Sequence, residues 1–315
     1  MFLELAWRGI AVLHTGRDPP ETALRVKSAL ESVGVAAHVF PVAELGRVWS
    51  CYDGIVYVGA IGGIVRLLCP LLRDKELDPP VVAVDRSGRF FVPLLGGHWG
   101  ANELASELAK LLGGVAVITT AVEHVGAVPP EELERIFLCR MERSARLRVA
   151  AALRDGAEVC VAGVSWAPPG YKLGEGCAVV VRRGHVCKEG EVCCRPVRLY
   201  VGFGATSSAT VEDVVEAIKK ALGDLGVSKV EAVASVKVLA SEVGRALGVR
   251  AVVYTPEELR TDEYCASPPS PKALEALGVP GVAELAALTA AGPGGRLVYR
   301  KRVFGKVTVA VAAAP

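Results

Sequence analysis

Short apolar runs alternate with amphipathic stretches of helical period through the first part of the chain. Gly9 to Leu13, Ala36 to Phe40 and Tyr52 to Gly59 read as strands, and Glu21 to Ser32 reads as the helix between the first two. That alternation predicts a doubly wound parallel sheet, whose ligands bind beyond the carboxyl ends of its strands. His14, in the polar loop after the first strand, then either faces such a site or is a solvated loop residue. Ile61, Ile64, Val65, Leu68 and Leu72 recur at helical spacing and predict one buried face, which leaves Arg66 and Arg73 together on the polar side. Those two charges suit either a solvated face or a cradle for an anion. Pro70 has no N–H for the carbonyl of Arg66, so the helix kinks or restarts there.

The segment from Pro80 to Leu112 organises the rest. Val81 to Val84 is an apolar strand ending at Asp85, Arg86-Ser87-Gly88 is a turn, and Phe90 to Leu95 resumes as a second strand. Gly96, Gly97, His98, Trp99 and Gly100 form a glycine loop, and Leu104, Leu108 and Leu111 place a helix over Ala101 to Leu112. A helix start offers unpaired N–H groups and partial positive charge, and glycines let a ligand approach the backbone. The loop therefore reads as an anion site. His98 is the one histidine of five that lies in a glycine loop directly before a helix. An imidazole titrating at about pH 6.5 accepts a proton at cellular pH, and a helix start disfavours its cation. His98 reads either as a general base or as a donor that only braces the loop, with Asp85 the next candidate base.

Val115 to Thr119 continues as a strand, after which the pattern changes. A helix is predicted from Pro130 to about Leu153, followed by short strands at Val159 to Val164, Ala178 to Arg182 and Val192 to Pro196. A new α/β unit opens at Leu199-Tyr-Val-Gly-Phe-Gly, with Ala205 to Ala209 as a polar loop and a helix from Val211 to Leu222 capped by Thr210 with Asp213 three residues on. Strands at Val230 to Ala234 and Ala251 to Tyr254, a helix from Val282 to Ala290, and a hairpin of Arg296 to Arg302 with Lys306 to Ala312 close the chain. Arg300, Lys301, Arg302 and Lys306 make that hairpin basic, which protection of an edge strand explains. Ser207 stands where the dinucleotide fingerprint needs its third glycine, which argues against such a cofactor. The fold class is α/β. It comprises an N-terminal doubly wound parallel-sheet domain over 1–122, a small α+β linking domain over 123–197, and a C-terminal α/β domain over 198–315.

Composition narrows the function classes. The 315 residues are 51% hydrophobic with mean hydropathy +0.38, enough for two or three cores. A net charge of +2 and 6% aromatic residues offer neither a basic field nor stacking platforms, so nucleic acid is not expected. No uncharged apolar run reaches about 18 residues and the first ten lack a signal-peptide head, so no membrane partner and a cytoplasmic location are expected. The chain has no glutamine and one asparagine, Asn102, the bias of a protein from a hot environment. Asn102 is either a helix cap or a group needed as an uncharged donor and acceptor. Nine cysteines without a C-x-x-C pair read as small buried thiols, with disulfides open to a thermophile.

Several spaced motifs then carry a resemblance. Ala60-x-Gly62-x-x-Val65-Arg66, Asp74-Lys75-x-x-Asp78-Pro79, Val84-Asp85-x-x-Gly88, Leu94-Leu95-x-Gly97-His98 and Gly100-Ala101-Asn102-Glu103-Leu104, ending in Ile118-Thr119-Thr120-Ala121, resemble the CbiG family of cobalamin biosynthesis. Val201-Gly202-Phe203-Gly204, Gly278-Val279-x-x-Val282-Ala283-Glu284 and Lys301 before Thr308-Val309-Ala310 resemble its C-terminal domain. The family's His-x-Gly-Gly-Ala-Asn is one residue shorter here, as His98-Trp99-Gly100-Ala101-Asn102.

The resemblance implies a hydrolase of the anaerobic route. Its family opens the δ-lactone of cobalt-precorrin-5A and releases acetaldehyde, giving cobalt-precorrin-5B. A carrier or assembly protein that binds the corrinoid without changing it is the alternative. His98, Asp85 and Asn102 become the expected catalytic residues. Arg66, Lys75, Gly62, Gly97, Gly100, Gly202, Gly204, Ser207, Glu284 and Lys301 are the expected substrate contacts, since the macrocycle carries many carboxylates. The substrate brings its own cobalt, so no protein-bound metal or cofactor is expected. Partners to test are the cobalt-corrinoid intermediate, neighbouring methyltransferases of the pathway, and a second copy of the chain.

Overall fold

The computed structural model describes residues 2–73, 78–97, 100–119, 127–259 and 265–314. In chain order the first elements are β1 (Ile10–His14), α1 (Glu21–Ser32), β2 (Ala37–Pro41), α2 (Leu45–Val48), β3 (Gly54–Val58), α3 (Ile61–Leu68), β4 (Val81–Val84), β5 (Phe90–Leu95), α4 (Ala101–Leu112) and β6 (Val115–Ala116). Next come α5 (Pro130–Ile136), β7 (Cys139–Arg140), α6 (Arg143–Arg154), β8 (Val159–Ala162), β9 (Lys172–Leu173), β10 (Val179–Arg183) and β11 (Val192–Pro196). The last part holds β12 (Leu199–Ala205), α7 (Val211–Asp224), β13 (Ala232–Ser235), α8 (Ala240–Leu247), β14 (Arg250–Val253), α9 (Pro271–Leu277), α10 (Ala283–Ala291), β15 (Arg296–Phe304) and β16 (Val307–Ala313).

Among the described residues these strands form three sheets, in the orders β2-β1-β3-β4-β5-β6, β7-β11-β10-β8-β9 and β14-β13-β12-β16-β15. β1 and β2 run parallel, as do β5 and β6, while β4 and β5 form an antiparallel hairpin closed by the Asp85 turn. The fold is therefore multi-domain α/β, as the alternating pattern predicts. By packing, the chain divides into one unit of 1–5 with 56–197 and a second of 6–55 with 198–315.

Within the first unit, the small sheet β7 to β11 has its own core of Leu133, Ile136, Phe137, Val149, Val159, Val161, Val181 and Val192. Here the structure corrects the long helix expected from Pro130. Leu138, with φ 46°, turns the chain after α5, and its carbonyl accepts from Val197 N–H at 3.0 Å. Cys139 and Arg140 then pair with Pro196 and Arg195, so sheet pairing takes the residues that helical periodicity had claimed. Helix α3 is corrected too: it ends at Leu68, before Pro70, and only Ile64 and Leu68 of the expected face are buried. Ile61, Val65 and Leu72 stay 42–44% exposed.

In the second unit, β12 lies between β13, parallel, and β16, antiparallel, and α10 covers them. Gly202 makes that contact achievable, because a Cβ there would lie 1.9 Å from Ala283 O. Thr210 and Asp213 form the expected capping box at the start of α7. The cysteines are the largest correction. Eight of them pair as Cys51–Cys265, Cys139–Cys194, Cys160–Cys177 and Cys187–Cys193, and the exposed Cys69 is the one left as a thiol. Sequence spacing hides this because partners up to 214 residues apart meet only after folding.

Candidate functional site

In the first unit the glycine loop begins where β5 ends. Gly96 has φ 69° and its carbonyl accepts from Ala101 N–H at 3.0 Å, so the loop closes directly onto α4. Gly100, the N-cap of α4, has φ 113°, and a Cβ on it would lie 2.2 Å from the Phe2 ring. No side chain caps this helix start, although Glu103 Oε1 accepts from Phe2 N–H at 2.6 Å. Asn102 is the second residue of α4 and so is not its cap; its carbonyl accepts from Ser106 Oγ at 2.8 Å. His98 and Lys75 lie outside the described residues.

Asp85 is placed away from that loop. It follows Val84, which pairs with Phe91, whereas Gly96 follows Leu95, which pairs with Val81. The hairpin thus separates the two by about four residues of strand, or ~13 Å. Asp85 accepts from Ser87 N–H at 3.1 Å, Arg89 N–H at 2.8 Å, Phe90 N–H at 2.7 Å and Ser87 Oγ. Partial burial pushes its carboxyl up, but these bonds outweigh that and hold its pKa below the usual value. A carboxylate so held shapes the turn and is a weak base. On the same edge, Gly59 N–H donates to Val84 O at 2.9 Å, so β3 and β4 exit together and deliver α3 beside Asp85. Arg66 there folds back along its own helix, with Nη1 donating to Gly62 O at 2.8 Å. Arg66 and Gly62 are therefore brought together on an exposed helix start.

In the second unit, β12 feeds the loop 206–209, where Ser207 is exposed. Lys306 ties this loop to the β15–β16 turn: its Nζ donates to Ser208 O at 3.2 Å, and its carbonyl accepts from Thr206 N–H at 3.1 Å. Gly204 sits under Thr308, whose Oγ1 donates to its carbonyl at 3.2 Å. Glu284 is 4% exposed, and its oxygens accept from Ser267 N–H at 2.6 Å, Ser267 Oγ at 2.7 Å and Lys301 N–H at 3.0 Å. Burial alone would raise the Glu284 pKa; Arg300, 3.9 Å away, and the N–H donors outweigh it and lower the pKa.

Arg300 corrects the expectation of a solvent-facing basic hairpin. It is fully buried, and donates to Arg8 O at 2.7 Å, Cys51 O at 2.9 Å, Cys265 O at 3.0 Å and Ser267 Oγ at 3.3 Å. Its guanidinium lies 4.1 Å from the Tyr52 ring centroid, and Tyr52 Oη meets His38 Nδ1 at 3.0 Å. Burial, then Arg300, pushes the His38 pKa down to about 4. Nothing in the sequence marks this cluster, because its members lie on segments far apart in the chain. His14 is a further correction: at 3% exposure it is neither solvated nor in a loop, but the last residue of β1. Among the described residues no three His, Cys, Asp or Glu side chains converge to hold a metal ion.

Fold and site together define a multi-domain α/β protein in which helix α4 starts on a glycine without a side-chain cap. Two family models match it: one described as Cobalamin synthesis G N-terminal over residues 43–123, and one described as Cobalamin synthesis G C-terminus over residues 199–312. The chain belongs to the cobalamin synthesis G (CbiG) family. It is 28% identical over 306 residues to the cobalt-precorrin-5A hydrolase of Priestia megaterium, covering 86% of this chain and 81% of that one. It is 44% identical over 78 residues to the cobalt-precorrin-5A hydrolase of Salmonella typhimurium, covering 24% of this chain and 22% of that one. A solved structure of a cobalamin biosynthesis protein G homolog from Sulfolobus solfataricus superposes with a TM-score of 0.85 at 27% identity, covering 100% of both chains.

Proposed function

We propose that this chain opens the δ-lactone of cobalt-precorrin-5A and releases acetaldehyde, giving cobalt-precorrin-5B. Family membership makes it a hydrolase of cobalamin synthesis; the particular reaction is our reading. The observation that carries it is the start of α4 behind the glycine loop, where no side chain caps the helix and the dipole favours a negative group. Lactone opening needs a base to activate water and donors for the oxygen that becomes negative. His98, between those glycines, is the base in this reading, and Asn102 with the loop N–H groups receives the oxyanion. Asp85 is disfavoured as the base by its full set of hydrogen-bond donors and by its place at the other end of the hairpin.

Arg66 and Lys75 are proposed to hold carboxylates of the macrocycle, with Gly62 and Gly97 leaving room for it, whereas Gly100, expected as a substrate contact, instead makes room for the Phe2 ring. On the second unit, Ser207 and Lys301 are the proposed contacts, and Gly202, Gly204 and Glu284 support the loop and the strand that carry them. The cobalt arrives with the substrate. No helix is long and apolar enough to cross a membrane among the described residues. We place the enzyme in the cytoplasm of a heat-adapted cell, where disulfides persist. Purified protein incubated with cobalt-precorrin-5A should release acetaldehyde in step with loss of substrate. Tight binding without acetaldehyde would leave only the carrier reading.

A further inference from the structure

The small sheet of the first unit carries a cavity of about 310 Å³ that the reaction described above does not use. Arg140, Arg148, Arg195, Ser144, Glu142 and Glu191 line it. Its floor is the antiparallel pair β7–β11, in which Arg140 and Arg195 stand directly opposite one another. Like charges in that register destabilise a sheet unless something between them is negative. Its wall is the start of α6, whose N-cap residue Glu142 makes no side-chain cap hydrogen bond and whose first helical position is Arg143. The facing arginines thus break a local rule of sheet pairing at this cavity, and such violations without a structural gain mark functional positions.

The acidic residues in the lining do not remove the charge. Glu191 is committed elsewhere: Arg182 Nε and Nη2 reach it at 2.6 and 2.7 Å and Lys188 N–H at 2.8 Å. The Arg182 bonds foremost hold its carboxyl at about 2, so it stays anionic and turned to Arg182. Glu142 meets Arg195 at 3.7 Å, with both side chains largely exposed, a pair worth little. Arg148 is fixed in place by its Nη2 bond to Gly190 O at 2.9 Å, which leaves the rest of its fork available. Arg140 is exposed and enters no ion pair with a described residue. Arginine forks and helix N–H groups together match a planar carboxylate. A volume of about 310 Å³ lies at the low end for small-molecule sites and suits a side arm, not a whole macrocycle.

We propose that this cavity is a carboxylate-binding site that takes an acetate or propionate arm of the corrinoid, so that the small sheet anchors the substrate's periphery. The assignment of the arm rests on the corrinoid reading of the function. The site itself rests on the facing arginines and the cavity.

The test uses the full chain, a double variant Arg140→Gln/Arg195→Gln, and two probes titrated by absorbance: cobyrinic acid, a corrinoid with free carboxylates, and its heptamethyl ester. The variant should bind the acid about tenfold or more weakly than the parent, the scale of a lost charge-assisted hydrogen bond, and bind the ester equally well. Its Tm should hold or rise, because the facing cations are gone. Arg140→Lys/Arg195→Lys, which keeps the charge, should retain most of the affinity. Unchanged affinity for the acid, or equal loss for acid and ester, would overturn the proposal. So would a variant that loses binding of free citrate while binding cobyrinic acid like the parent. Arginine-dependent binding of the acid by a protein that releases no acetaldehyde would sustain the site and remove the hydrolase reading.

Discussion

Arg300→Met removes a guanidinium on which two distant parts of the second unit depend. It donates to carbonyls of Arg8 and Cys51 on one side and of Cys265, with Ser267 Oγ, on the other, and balances the buried Glu284 at 3.9 Å. Removing one partner of a buried ion pair costs about 3–5 kcal/mol, since the other charge is left uncompensated. Glu284 keeps three donors from Ser267 and Lys301, which sets the expectation at the lower end, about 3 kcal/mol. At about 2–4 °C per kcal/mol, calorimetry should show the transition of this unit lowered by roughly 6–12 °C. The deficit should also depend on pH. In the parent protein the Glu284 pKa is lowered from 4.5, so its contribution is present above that value and is lost as pH falls through the folded pKa. In the variant, burial without Arg300 raises the pKa, so the carboxyl takes up a proton and the deficit shrinks from pH 8 to pH 4. A loss under about 1 kcal/mol, or a deficit equal at both pH values, would refute the account of Arg300 as the tie.

His98→Ala should fold and bind the corrinoid but lose about 10²-fold or more in turnover, the usual scale for a general base; near-normal acetaldehyde release would exclude the role. Gly202→Ala puts a Cβ 1.9 Å from Ala283 O and should cost about 1–3 kcal/mol or more by pushing α10 off β12, read as a lower Tm; an unchanged melt would contradict the close packing. His38 has its pKa lowered from 6.5 to about 4 by burial and then Arg300, so the unfolded chain takes its proton first and stability declines as pH falls from 6.5 towards 4. An NMR titration should place its midpoint near 4, and a midpoint at the free-imidazole value would show that the ring is not held as described.

Periodicity made much of the local structure legible. α1 and α4 occupy the stretches that their apolar spacing marks out, the Thr210–Asp213 box starts α7, and the closing hairpin is where alternation puts it. These features depend on neighbours three or four residues apart on a helix, or on pairs across a tight turn, and such distances are written in the chain. Where a long-range partner competes, periodicity fails: Cys139 and Arg140 leave a helical pattern to pair with residues of β11. The exposed face of α3 is a second case, since helical spacing states which residues share a face but not whether anything covers it.

The candidate site divides in the same way. Glycines before a helix start, the capping pattern and the family motifs belong to the sequence alone, and with them the expectation of an anionic ligand at Gly96–Gly100. Two matters were decided only in three dimensions. The antiparallel sense of β4 and β5 sends Asp85 to the opposite edge from the glycine loop, although eleven positions of chain separate Asp85 from Gly96. The packing of 6–55 with 198–315 rests on Arg300 and the Cys51–Cys265 bond. A buried guanidinium is stable only where several carbonyls and a carboxylate converge on it. That convergence belongs to the assembled fold, and no local run of residues records it.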